Sequence, residues 1–121
     1  MKRNTSVDIF AISDLAIAAL HALGLLFMVI ALVYGIFFSG DAEEEVFMGV
    51  LGSIIIIVPL LAGLVVYGSA GFGLIKRKSW GYYMHIAASV LAFFSVLLIA
   101  YAVVSFVFVF KPEFRQEFFV D

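Results

Sequence analysis

The sequence predicts an all-α integral membrane protein. Three transmembrane helices at about 15–38, 46–75 and 81–110 are followed by a short amphipathic C-terminal tail, all in a single membrane domain covering 1–121. Three observations carry this. Hydrophobic residues make up 65% of the 121 and charged residues only 13%, whereas soluble domains hold roughly 45–50% and 25%. The excess is concentrated, because Leu15–Phe38, Val46–Ile75 and Gly81–Phe110 contain no Asp, Glu, Lys or Arg. A bilayer core of about 30 Å needs roughly 20 helical residues to cross it, and hydrocarbon tolerates no unpaired backbone, so each run is a helix rather than a lone strand.

Met1-Lys2-Arg3 ahead of the first run has the look of a secretory signal. The run is longer than the 7–15 residues of a usual signal core and lacks a small-residue cleavage site, so it reads as an uncleaved first span. Asn4-Thr5-Ser6 fits the glycosylation sequon, a short pattern that falls here on the cytoplasmic side. The second run, about 45 Å long as a helix, must tilt, bend or protrude. Pro59 in its middle removes one backbone donor and predicts a bend.

The second run closes with Tyr67–His85, YGSAGFGLIKRKSWGYYMH. A phosphate-binding loop needs G-x-x-x-x-G-K-[ST] after a buried strand. Gly68, Gly71 and Gly73 instead lie in the last turns of an apolar helix, with no Gly-Lys-Ser/Thr order. The stretch therefore reads as a membrane exit: Lys76, Arg77 and Lys78 anchor the turn, and Trp80, Tyr82 and Tyr83 suit the interfacial belt. Ser69 with Gly73 forms a notch for close helix approach, as do Ala18 with Ala22, Gly49 with Ser53 and Ala88 with Ala92. In the tail, Lys111–Asp121, Phe114 and Phe118 share a helical face, which predicts a short piece lying on the outer membrane surface.

Five of the seven basic residues are Lys2, Arg3, Lys76, Arg77 and Lys78, while Ser39–Glu45, SGDAEEE, holds four acids and no base. Because basic loops stay in the cytoplasm, the expected topology has the N-terminus and the Lys76–Lys78 loop inside. The Asp41–Glu45 loop and the C-terminus then lie outside, with Lys111 and Arg115 as exceptions. The net charge of −2 and the absence of a basic surface argue against nucleic acid. With no cysteine there are no disulfides or thiolate metal sites. The expected partners are the lipid bilayer and other membrane subunits or further copies of the chain.

His21 and His85 are the titratable side chains of near-neutral type inside the runs, and in this topology they lie at similar depth. Three readings stay open. Each imidazole can simply hydrogen-bond within a helix interface, to a carbonyl, Ser89 or a tyrosine. Asp14 and His21, seven apart on one face, can line a proton or ion path. His21 and His85 can be axial ligands of a b-type haem, or flank a quinone site. No catalytic set is present: there is no His-Glu-x-x-His, no Gly-x-Ser-x-Gly, and Glu43-Glu44-Glu45 reads as a solvated loop. No metal site is expected, and no cofactor unless the haem reading holds. With so little chain outside the runs, function is expected to reside in helix contacts. That describes a non-enzymatic accessory or scaffold subunit of a larger membrane complex, or a homo-oligomer. The alternatives are a small oligomeric transporter or channel and a haem- or quinone-binding anchor.

Three patches resemble a loose group of small, uncharacterised bacterial multi-pass membrane proteins. Leu20-His21-Ala22-Leu23-Gly24 looks like their Leu-His…Gly signature. Gly71–Trp80, GFGLIKRKSW, looks like their Gly-x-Gly-Leu-x-basic-x-basic-x-Trp exit, and Lys111-Pro112-Glu113 like their Pro-Glu close. The resemblance covers under a fifth of the chain and implies a bacterial cytoplasmic (inner) membrane and no known activity. Many such proteins continue with Ala-Arg and two further passes, whereas here Gly81-Tyr82 and one uninterrupted run follow. The chain is also similar in length and pass number to haem-bearing anchor subunits of respiratory dehydrogenases. The arginine and aspartate those anchors keep near the ligand and quinone are missing from the sequence around His85, and His21 has only Asp14 nearby.

Overall fold

The computed structural model describes residues 4–95 and 98–119, so Lys2, Arg3 and the last two positions of the tail lie outside the described residues. Two long helices, α1 (Thr5–Phe37) and α2 (Glu43–Ile75), form an antiparallel hairpin. Each has 33 residues, and each is long and apolar enough to cross a membrane. The Asn4 side chain caps α1 by accepting from the Ser6 amide at 2.9 Å, and so starts the helix ten residues ahead of the expected boundary. Glu43, Glu44 and Glu45 fill the first turn of α2, where the helix dipole favours negative charge. The helix runs without a break through Pro59.

The third apolar run is not one span. It divides into α3 (Ser79–Phe93) and α4 (Ile99–Val109), which fold back on each other as a short antiparallel hairpin. At 1.5 Å per residue α3 is about 22 Å long and α4 about 17 Å, both short of a 30 Å core. The physical reason lies in the polar groups. His85 and Ser105 are hydrogen-bonded in the structure, yet in a straight helix they would stand about 30 Å apart. Folding back also lets the Tyr82 hydroxyl donate to the Val109 carbonyl at 3.0 Å. Bonds from the amides of Phe94 and Ser95 to the carbonyls of Leu91 and Ala92 tighten the end of α3.

The fold-back also relocates the tail, which carries a one-turn helix, α5 (Pro112–Arg115). Its two aromatic residues do not lie out on a surface: Phe114 and Phe118 are buried in the core with Val7, Phe10, Leu74, Tyr82 and Val109. The tail up to Phe119 is therefore at the same end as the start of α1 and the 76–78 turn, not at the opposite end. All five described cations, Lys76, Arg77, Lys78, Lys111 and Arg115, gather there, and Asp41 to Glu45 occupy the other end.

Arg77 ties this end together. The last turn of α2 closes with bonds from the Lys78 amide to the Gly73 carbonyl (3.0 Å) and from the Arg77 amide to the Leu74 carbonyl (3.2 Å). This helix-ending motif puts its central residue in the left-handed region and usually employs glycine there. Arg77 occupies that place with φ of 54°. Its guanidinium reaches Glu117 (3.0 Å), Asp8 (3.1 Å) and the Leu74 carbonyl (2.6 Å), while Glu117 also accepts from the Asn4 amide. One side chain thus holds the start of α1, the end of α2 and the tail. Just beyond, Gly73 and Gly81 meet backbone to backbone, since a Cβ on Gly73 would lie 2.4 Å from the Gly81 Cα.

Two of the expected interface anchors therefore have other duties. Tyr82 is buried, and Arg77 is the clasp. Trp80 and Tyr83 remain exposed, with Trp80 stacked on Phe72 at 6.4 Å. Among the small-residue pairs, Ala18, Gly73, Ala88 and Ala92 are buried and Ser69 half-buried, whereas Ala22 and Gly49 are exposed; Ser53 bonds back to the Gly49 carbonyl at 2.8 Å. The core lies wholly in the half of the molecule built by α3, α4 and α5. No residue from 19 to 62 is buried.

Candidate functional site

The covered half encloses a polar cluster drawn from three helices. Asp14 of α1, His85 and Ser89 of α3, and Ser105 of α4 are all fully buried. His85 Nδ1 lies 2.6 Å from Asp14 Oδ2, and Tyr101 of α4 donates its hydroxyl to Asp14 Oδ1. On the far side of the ring, His85 Nε2 is 2.8 Å from Ser105 Oγ. Ser105 in turn contacts Ser89 Oγ, and Ser89 donates to the His85 carbonyl at 2.9 Å. Phe114 stacks on the imidazole at 5.8 Å and 21°, and Phe10 tilts against it at 5.3 Å. No polar side-chain atom of the cluster is left without a partner.

Counting protons shows what these contacts require. The five contacts are Tyr101 to Asp14, His85 to Asp14, His85 to Ser105, Ser105 to Ser89, and Ser89 to the His85 carbonyl. Tyr101, Ser89 and Ser105 supply one proton each, so every contact has its own proton when two more lie on the Asp14–His85 pair. An imidazolium beside a carboxylate and a neutral imidazole beside a carboxylic acid meet that count equally. The cluster thus closes its own hydrogen bonds away from water, as a buried polar network requires.

Carboxylate to Nδ1 and Nε2 to a serine oxygen is also the order used by serine hydrolases. Here the serine has no exposed surface. Ser105 sits in mid-helix, where the surrounding amides are spent on helix bonds, so neither substrate access nor oxyanion donors accompany it.

The expected pairings of the histidines are corrected by this geometry. Asp14 partners His85 rather than His21. His21 lies two helical turns farther along α1, about 10 Å above the level of the cluster, so the two histidines do not share a depth. Its Nδ1 bonds its own helix at the Ile17 carbonyl (2.8 Å), and its ring lies 5.3 Å from that of Tyr67. The pair does not fit axial ligation of a haem: both nitrogens of His85 are engaged inside a closed core. Asp14 and His21 likewise form no joint path. Tyr101 and Ser105 escaped the sequence reading. The one signal that could have found them is that they are polar residues four apart in an otherwise apolar segment, 98–110.

No family model, curated protein or solved structure matches the chain.

Proposed function

We propose that the chain is a small, non-enzymatic integral membrane protein. In this reading α1 and α2 span the bilayer, and the α3–α4 hairpin enters from the basic end and turns back near mid-depth. The chain serves as an accessory or scaffold subunit of a larger membrane assembly, or as a homo-oligomer. The single observation that carries the reading is the bare half of the long hairpin. From 19 to 62 nothing is buried, while large side chains such as Leu20, Leu23, Phe27, Ile30, Phe47, Ile55 and Val58 are more than half exposed. An apolar surface of this extent in water marks an interaction or membrane surface.

The charge distribution supports an orientation. With the tail folded back, the described cations stand at one end, next to Asn4 and so next to Lys2 and Arg3 in the sequence. The positive-inside rule then puts that end in the cytoplasm of a bacterial inner membrane, and the Asp41–Glu45 end outside, without exceptions. The transporter and haem-anchor alternatives lose their residue pairs to the corrected geometry, because Asp14 is sealed in the core and His85 has no free nitrogen.

The test is to extract native membranes with a lipid-retaining polymer and to measure the mass and composition of particles that hold the chain. Particles containing other subunits, or several copies, are expected. Particles with one copy and lipid alone would overturn the assembly role.

A further inference from the structure

Where the end of α3 meets the middle of the long hairpin, a cleft of about 390 Å³ opens sideways. Its walls are mostly apolar, including Leu20, Pro59, Leu91 and Phe94, and its polar lining comes from His21 and Tyr67, with Ser95 just past the end of α3. We propose that this cleft binds an uncharged lipophile bearing a hydroxyl group, an alcohol or a phenol, with that hydroxyl engaged by His21 and Tyr67.

The two side chains are presented in a defined way. His21 Nδ1 faces the Ile17 carbonyl at 2.8 Å, and since a carbonyl can only accept, Nδ1 carries the proton. In the neutral form of the ring Nε2 is then the acceptor, and that nitrogen has no hydrogen-bond partner among the described residues. Gly63 makes room for the ring: a Cβ there would lie 2.3 Å from His21 Cδ2 and 2.4 Å from Nε2. Tyr67 is 1% exposed, and its hydroxyl donates to no described residue. Asp14 is already occupied by His85 and Tyr101. One acceptor and one donor, both unmet, thus face one apolar cleft.

This pairing defines the ligand chemistry. A hydroxyl both donates and accepts, so it can satisfy Nε2 and the tyrosine together. A ketone or ether can only accept and would leave Nε2 unpaired. A charged head finds no free counter-charge, because the three apolar runs contain no Asp, Glu, Lys or Arg. The size falls within the roughly 300–1,000 Å³ of small-molecule sites, which are likewise mostly apolar with a few placed polar groups.

The test uses the full chain in lipid nanodiscs with a diazirine-bearing long-chain alcohol as photo-crosslinking probe. Hexadecanol and its methyl ether serve as competitors. Crosslinks should concentrate on Leu20, Leu91 and Phe94, and hexadecanol should compete better than the ether by about tenfold, as one lost hydrogen bond implies. Tyr67→Phe should weaken capture by a similar factor. In the unaltered chain, the ¹⁵N signal of His21 Nε2 should move on adding hexadecanol but not the ether, a readout that needs no variant. Equal competition by the ether, or label spread evenly over the bare half of the hairpin, would reduce the cleft to ordinary lipid contact. A His21 signal indifferent to the alcohol would leave only water there. Any of these outcomes overturns the proposal.

Discussion

His85 is held on both sides of its ring, by a carboxylate and a tyrosine-supported bond network on one and by two serines on the other. Removing one member of a buried, hydrogen-bonded pair strands the other, at a typical cost of 3–5 kcal/mol. Asp14→Ala should therefore destabilise the folded protein by about that amount in a detergent unfolding titration. Ser105→Ala, which removes a neutral partner, should cost about 1–3 kcal/mol. Ser13→Ala, which only breaks a bond to its own helix at the Ile9 carbonyl, should stay within about 0.5 kcal/mol. A flat response across the three would show that the cluster does not hold the fold. Arg77 permits a sharper comparison, because it combines a strained backbone with a clasp. Arg77→Ala and Arg77→Gly both lose the bonds to Asp8 and Glu117, but only glycine relieves the left-handed φ, which costs a non-glycine residue about 1–3 kcal/mol. Both should be less stable than the parent, with Arg77→Gly the better of the two by about 1 kcal/mol.

At the scale of the elements, α2 and α3 can form a tight hairpin because Gly73 and Gly81 touch without side chains. Gly81→Ala would place its Cβ 2.3 Å from the Gly73 carbonyl carbon. The backbones must then move apart, at about 1–3 kcal/mol for overpacking, visible as a fall in thermal stability and greater exposure of Tyr82 to quenchers. The two long helices were legible in the sequence because uninterrupted apolar length is itself the signal. The α3–α4 turn was not legible. Residues 94–98 carry no Gly, Pro or Asn, and the run 81–110 is long enough to be mistaken for one span. What bends it is tertiary: Ser105 must return to His85, and Tyr82 to Val109. The same blindness hid the site. Asp14 at the edge of one apolar run, and His85 and Ser89 inside another, could be seen as polar residues, but their pairing depended on a turn that local pattern does not encode. The tail was half legible. The four-residue spacing of Phe114 and Phe118 gave their shared face, but not that the face packs on the chain's own core.

On the scale of the whole molecule, the fold-back changes the arrangement of charge. A straight third span would leave Lys111 and Arg115 at the acidic end. The observed hairpin collects them with Lys76 to Lys78, and the clasp of Arg77 on Glu117 and Asp8 secures the arrangement. The molecule is then apolar along its length, basic at one end and acidic at the other, which agrees with the orientation proposed above. The chain has no native cysteine, so single cysteines report position without background. The most direct test introduces Ser39→Cys, Lys78→Cys and Gln116→Cys separately and exposes intact cells to a membrane-impermeant maleimide. Labelling of Ser39→Cys alone is predicted, with Lys78→Cys and Gln116→Cys reacting only after the membrane is opened. Labelling of Gln116→Cys together with Ser39→Cys in intact cells would mean that the third run crosses, and would contradict the account.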